Sequence, residues 1–311
     1  MTIIDAMDDP SLFGPWFQGD SWFAWRVLLK SVFGLPLDEA ELVIFRAATG
    51  RTQSLSVPPK IIWVVAGRRA GKSLVAALIA VFCACFRDYR PFTQRGEVAT
   101  VMVVAADRKQ ARAILRYVKA FLFQTALLAP MVTRITRESV ELDNNVAIEI
   151  HTCSSVSTRS YSLAAVLNDE VSFWPSEESA NADAEIMTAQ LPGLSTIPTS
   201  LMFNITTGYA RRGATFVAFE THYGHDDSPV LFWKAPSRAL PEHEAIVEMN
   251  PTIDIATVQQ AYADDPVAAS AEWGGGFRSD TESLFTLEML EAVTDYDRPL
   301  ILPYSEEEDV A

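Results

Sequence analysis

The sequence predicts an α/β domain built on a mainly parallel sheet, and three observations predict it. Runs of strand length that are wholly or largely apolar recur at 61–66, 98–106 and 163–167, with a mixed one at 200–207, as expected of strands covered on both faces. Longer segments with helical spacing lie between them, and strands alternating with helices make a parallel sheet. Finally, 49% of the 311 residues are hydrophobic, enough for one large core and a smaller subdomain.

Residues 1–50 are rich in aromatics, among them Trp16, Phe17, Trp22, Phe23 and Trp25. Helices are expected over 21–33 and 37–48, the second with Asp38, Glu39 and Glu41 in its first turn, where acids are favoured. The tryptophans can stack on a base or fill a core, and the weight of aromatic burial favours the core. A strand over 61–66 leads through a loop into a helix from Lys72 to Phe86. A strand over 98–106 precedes a long helix over 108–128. Alternation over 138–142 and 146–151, around Asp143-Asn144-Asn145, reads as a hairpin with one wet face. The strand at 163–167 runs into Asn168, Asp169 and Glu170, and the strand at 200–207 ends at Gly208. Beyond residue 240 the pattern weakens. Helices are expected at 255–264 and 287–293, with Gly274-Gly275-Gly276 as a flexible joint between them. Glu306-Glu307-Glu308-Asp309 reads as an acidic tail or linker.

The net charge is −15, unevenly spread: residues 51–162 carry 16 basic and 7 acidic side chains, residues 163–311 carry 6 and 26. That balance argues against simple coating of nucleic acid and leaves a local basic face open. No apolar run reaches membrane-spanning length, and Asp5, Asp8 and Asp9 stand where a signal peptide needs positive charge. A soluble, intracellular protein without a membrane partner is expected. Cys83, Cys85 and Cys153 are too few for a disulfide framework and lack neighbours for a metal site. His222 and His225 with Asp226 and Asp227 read better as a polar loop than as a metal cluster.

The strongest chemical signal is Ala66-Gly67-Arg68-Arg69-Ala70-Gly71-Lys72-Ser73. The phosphate-loop pattern G-x-x-x-x-G-K-S/T is matched except that Ala66 stands in the first glycine position. The segment follows a buried strand and opens a helix, so loop amides and the helix N-terminus face an anion. Lys72 is suited to reach the β and γ phosphates of ATP, and Ser73 to hold Mg²⁺. A second signal is the carboxylate at the end of a buried strand, Asp169, a second Mg²⁺ ligand candidate, with Glu170 beside it as a base for the attacking water. A pair of acids opening a loop is the plainer alternative. Thr206-Thr207-Gly208, after Asn204 and Ile205, is a third and weaker signal: hydroxyls ending a neighbouring strand can sense a γ phosphate, and threonine-rich strands are also common.

Together, Gly67 to Ser73, Asp169-Glu170 with Phe173-Trp174, and Thr206-Thr207-Gly208 resemble the Walker A, Walker B and coupling motifs of the large terminase subunit of tailed bacteriophages, over roughly residues 45–280. The resemblance implies a P-loop NTPase of the additional-strand, catalytic-glutamate type, with a small lid or linker subdomain. It implies ATP hydrolysis driving double-stranded DNA into a procapsid in the host cytoplasm, with the portal protein, the small terminase subunit and further copies of the chain in a ring as partners. It makes Arg68 the phosphate-sensing arginine and Gln53 an adenine-contact candidate. It divides the chain into 1–50, an N-terminal helical part of the lid, 51–240, the ATPase core, and 241–311, a lid or linker toward an absent C-terminal nuclease. Asp295 and Asp297 do not make a nuclease cluster, so no DNA cleavage is expected. A helicase-like DNA-dependent ATPase is the nearest alternative, and a nucleotide-dependent regulatory module without turnover is another. The first needs a second motor domain, and the second has no use for Glu170.

Arg159, in Ser157-Thr158-Arg159-Ser160, is the only Lys or Arg between Arg137 and Asp169. The resemblance makes it an arginine finger that reaches a neighbouring subunit's γ phosphate, and a solvated surface group is the alternative. Arg159→Ala protein is expected to bind ATP and hydrolyse it slowly. Mixing it with Glu170→Gln protein should restore turnover in a manner that rises with concentration, since each mixed interface holds one intact partner. Full activity of Arg159→Ala alone under portal-stimulated conditions would return the residue to the surface.

Overall fold

The computed structural model describes residues 1–153, 161–174, 182–241 and 247–278. Eight strands form one sheet: β1 Ile61–Ala66, β2 Ala99–Ala105, β3 Val132–Ile135, β4 Ser139–Leu142, β5 Val146–Thr152, β6 Ser162–Asp169, β7 Leu201–Thr206 and β8 Leu231–Ala235, in the order β3-β4-β5-β2-β6-β7-β1-β8. From β5 to β8 every neighbour is parallel. The β3–β4–β5 end is antiparallel, with the expected hairpin turn placing Asn145 in the left-handed region at φ 64°.

Nine described helices accompany the sheet: α1 Ile3–Asp8, α2 Phe23–Val32, α3 Glu39–Thr49, α4 Lys72–Cys85, α5 Arg108–Gln124, α6 Ala182–Gln190, α7 Gly213–His222, α8 Ile255–Asp264 and α9 Pro266–Glu272. Successive strand residues face opposite sides, so the sheet splits the core in two. Ile62, Val64, Val101, Val103, Leu167 and Phe203 join the larger core with α1, α2, α4 and α5. Trp63, Val65, Met102, Val104, Val166 and Met202 join the smaller one with residues of α6 and α7. Helix α4 is buried from Val75 to Ala84, covered on one side by the sheet and on others by α1 and α5. That is why its sequence is apolar all round.

The elements expected from sequence are present with small changes of boundary. Asp38 caps α3, accepting from the Glu41 N–H while Glu41 returns to the Asp38 N–H. Helix α5 stops at Gln124, short of the expected 128, because Thr125 turns extended and its carbonyl takes the N–H groups of Leu128 and Ala129. Most aromatics of residues 1–50 pack into the core: Phe13, Phe17 and Trp25 are fully buried, Trp16 and Trp22 are partly buried against it, Phe13 and Phe17 meet Phe121 of α5, and Phe23 is exposed. The helix expected at 287–293 and the acidic tail lie outside the described residues. Among the described residues no helix is long and apolar enough to cross a membrane, no three His, Cys, Asp or Glu side chains are grouped so that they could hold a metal ion, and His222 hydrogen-bonds Ser228 in a polar turn.

The glycine run Gly274-Gly275-Gly276 corrects the expectation of a free joint. It packs over the ends of the strands: the Gly276 N–H bonds the Ser270 carbonyl at 2.9 Å, and a Cβ on Gly275 would stand 2.9 Å from the Ala235 carbonyl. A Cβ on Gly208 would strike the Gly276 carbonyl. The close approach of two backbones, with a left-handed φ of +66° at Gly275, requires glycine here. Gly208→Ala is therefore expected to destabilise by about 1–3 kcal/mol through overpacking, read as a lower urea midpoint. An unchanged midpoint would mean the glycine run gives way.

Candidate nucleotide site

Strand β1 delivers its C-terminal end to the phosphate-loop segment. Ala66 can replace the first glycine because it is still an extended, paired strand residue, in register with Ala235 of β8. Gly71 cannot be replaced so easily: its φ is +97°, and a Cβ would meet the Trp22 ring at 2.9 Å. Arg69 is also left-handed, at φ 62°. The loop is braced from two sides. The Trp25 indole donates to the Ala70 carbonyl at 2.7 Å. From the other side the Asn250 amide donates to the Arg69 carbonyl at 2.7 Å, and the Arg68 N–H to the Glu272 carbonyl at 2.6 Å. The Arg68 guanidinium pairs with the Glu272 carboxylate. Helix α4 then starts with no side-chain cap, which leaves its N-terminal donors for an anion.

Lys72 is 8% exposed. Its ammonium donates to the Ala66 carbonyl (2.9 Å), the Gly67 carbonyl (3.2 Å) and Thr207 Oγ1 (2.6 Å), and lies 3.4 Å from Glu170 Oε1. Burial lowers its pKa, and the charges of Glu170 and Asp169 oppose that.

Strand β7 lies between β1 and β6. That inserted strand makes Thr206 and Thr207 the link between the phosphate loop and the acids. Glu170 is held in the left-handed region at φ 50°, a conformation that costs a non-glycine residue about 1–3 kcal/mol. Its carboxylate accepts the Thr207 N–H at 2.9 Å and contacts the Thr207 and Thr206 hydroxyls at 3.3 and 3.4 Å. The turn is closed by the Trp174 indole on the Asp169 carbonyl at 2.9 Å. Asp169 is buried. Burial, with Glu170 adding to it, pushes its carboxyl up to about 7, and Oδ1 has no hydrogen-bond partner. Behind these acids Asn168 bonds Gln190 of α6 and Asn204 of β7, each at 2.8 Å.

These groups border a cleft of about 510 Å³, lined by Arg68, Arg69, Ala70, Gly71, Lys72, Ser73, Glu170 and Thr207 of the expected set. Gly67, Asp169, Thr206 and Gly208 stand behind that wall. Asp169 offers a buried carboxylate oxygen without a partner and Ser73 a hydroxyl lining the cleft, oxygen donors of the kind that a hydrated divalent cation takes. Phe173, which follows the Asp169-Glu170 pair, also lines the cleft, as do Leu74, Gln110 and Tyr117, which were not singled out by sequence. Gln110 and Tyr117 share a face of α5 at i, i+7, a spacing equally expected of plain surface.

Gln53 is not brought to the cleft. It is exposed, and its N–H bonds Asp226 in the turn leading into β8. That turn lies where β1 and β8 begin, about 17–20 Å along the strands from the phosphate loop. Arg51 is a buried structural residue there, donating to the carbonyls of Asp226, Ser228 and Val230. Arg159 lies outside the described residues.

No protein-family model and no curated protein matches the sequence. Solved structures do match the fold. The ATPase domain of the Thermus phage P74-26 large terminase superposes with a TM-score of 0.50 at 15% identity, over 80% of this chain and 97% of that one. The HK97 bacteriophage large terminase does so with a TM-score of 0.53 at 15% identity, over 81% of this chain and 54% of that one. The fold is that of the phage large terminase ATPase domain. The chain spans nearly all of the isolated domain and about half of the longer terminase.

The raised pKa of Asp169 has a testable sign. The folded protein keeps a proton there up to about pH 7, whereas the unfolded chain releases it near pH 4. Wild-type stability therefore falls as pH rises through that window. In metal-free and nucleotide-free buffer, Asp169→Asn is expected to melt higher than wild type by a margin that grows from pH 4 to above pH 7. A margin constant with pH would place the Asp169 pKa at its ordinary value.

Proposed function

We propose that this chain is a magnesium-dependent ATPase of the large terminase type, whose hydrolysis drives double-stranded DNA into a viral procapsid. The observation that carries it is the junction of Lys72, Glu170 and Thr207: a buried ammonium ending one strand's loop, a carboxylate ending another, and a hydroxyl and N–H from the strand between that bind both. The terminase fold supports it. In this reading the partners are the portal protein, the small terminase subunit and further copies of the chain in a ring, in the host cytoplasm. Residues 51–240 supply the chemistry, with 1–50 and 241–311 around it as lid and linker.

The phosphates of ATP lie along the loop from Gly67 to Ser73, with Lys72 against the β and γ oxygens and Arg68 available to the γ phosphate. Ser73 and Asp169 would hold Mg²⁺, which when bound would supply positive charge to the phosphate oxygens. Glu170 takes a proton from the attacking water. The water oxygen bonds the γ phosphorus while the bond to the bridging oxygen breaks, its electron pair leaving with ADP. Thr207 fixes the carboxylate, and Thr206 and Gly208 carry its state into the β7 loop. A regulatory module without turnover would have no need to hold a strained glutamate at this position.

Lys72→Ala is expected to abolish hydrolysis and to weaken ATP binding by about 1.5–3 kcal/mol, the value of a charge-assisted contact. Glu170→Gln should still bind ATP with magnesium while turnover falls about 100-fold or more. ATP turnover with and without double-stranded DNA and portal, beside nucleotide titration, reads both. Wild-type turnover in either variant would overturn that residue's role.

A further inference from the structure

Helix α5 brings a group to the cleft that none of the phosphate-binding motifs contains. Strand β2 lies beside β6, so the helix that follows β2 starts next to the end of β6, where Asp169 and Glu170 stand. Asp107 fixes its first turn, one carboxylate oxygen accepting the N–H groups of Lys109 and Gln110 at 2.7 and 3.0 Å. Gln110 then lines the cleft that Lys72, Ser73 and Glu170 also line. Its side-chain oxygen is buried and has no hydrogen-bond partner among the described residues. A buried amide oxygen without a donor is costly to leave unpaired, and it belongs to a residue that borders the cleft.

The chemistry of an amide suits what the other residues there cannot do. Glu170, as a carboxylate, only accepts hydrogen bonds, and Lys72 only donates them. A primary amide does both. An attacking water needs an acceptor for the proton that Glu170 does not take, and a γ-phosphate oxygen needs a donor. We propose that Gln110 contacts the γ phosphate through its NH₂ group and the attacking water through its carbonyl oxygen. It thereby holds the water in line between itself and Glu170, and it distinguishes a triphosphate from a diphosphate. This rests on the ATPase reading above. Gln110 transfers no proton: the water's proton still passes to Glu170, and only the orientation of the water depends on the amide.

The test compares wild type, Gln110→Ala and Gln110→Glu, the last keeping the size and an acceptor but losing the donor. Affinities for Mg-ADP and for ADP with aluminium fluoride, a mimic of the transferring phosphoryl group, are titrated alongside kcat and KM for ATP and the melting temperature without nucleotide. Both variants should bind ADP like wild type and melt like it. Both should lose about 10-fold or more in affinity for the aluminium fluoride complex, as a contact to a charged group implies. The loss should fall on kcat rather than KM, since the contact is made to the reacting group. Wild-type kcat and aluminium fluoride affinity in Gln110→Ala, in a protein whose parent hydrolyses ATP, would overturn the role of Gln110 and leave the ATPase reading standing. Equal losses for ADP and the mimic with a lowered melting temperature would also overturn it, by making the residue structural. A wild-type protein that binds neither nucleotide would overturn both.

Discussion

A buried cation sits where three strands end, and the site is arranged around keeping it there. Lys72 gives up most of its hydration to lie against the ends of β1 and β7, and an ammonium in that position needs compensation. Two loop carbonyls, one hydroxyl and one carboxylate provide it. They come from three parts of the chain: the loop itself, the β7 end and the β6 end. Because each compensating group is itself tied down, Glu170 by Thr207 and the loop by Trp25 and Asn250, the burial of one charge makes distant segments interdependent.

That interdependence explains which parts were legible in the sequence. Strand β1 and helix α4 read clearly because burial on all sides leaves uninterrupted apolar runs, and Gly71-Lys72-Ser73 follows from local backbone demands. Asp169 and Glu170 were legible for the same reason, as acids abruptly ending such a run. Other features carry no local signal. Strand β3 is an edge strand with three of its four residues exposed, so no apolar pattern marks it. Helix α7 has no distinct apolar face to mark it either. Glu272 and Asn250 reach the phosphate loop only through tertiary packing, more than 180 residues away in the chain. Gln53 misled for the opposite reason: it is close to the loop in sequence, but a strand length separates them in space.

The charge imbalance also takes a structural form. Helix α5 carries Arg108, Lys109, Arg112, Arg116 and Lys119 and no acid. Arg108 and Arg112 lie only loosely against Glu138, at 3.7 and 3.9 Å, and all three are largely solvated. Such pairs contribute little to stability. The helix is held instead by Ile114, Leu115, Val118, Phe121 and Leu122, all buried, so its position does not depend on the ionic strength that would alter its outer surface.

The amides behind the site have a consequence of their own. Asn168 and Asn204 stand opposite each other in register, and Gln190 completes the set. Sliding β6 one position along β7 would turn every side chain of the moved strand to the other face and strand these amides in hydrocarbon. The three work as a vernier: they set the height of one strand against the next, and with it the level at which the acids of β6 meet the threonines of β7. Groups that never touch the cleft thus determine how finely its two walls are aligned.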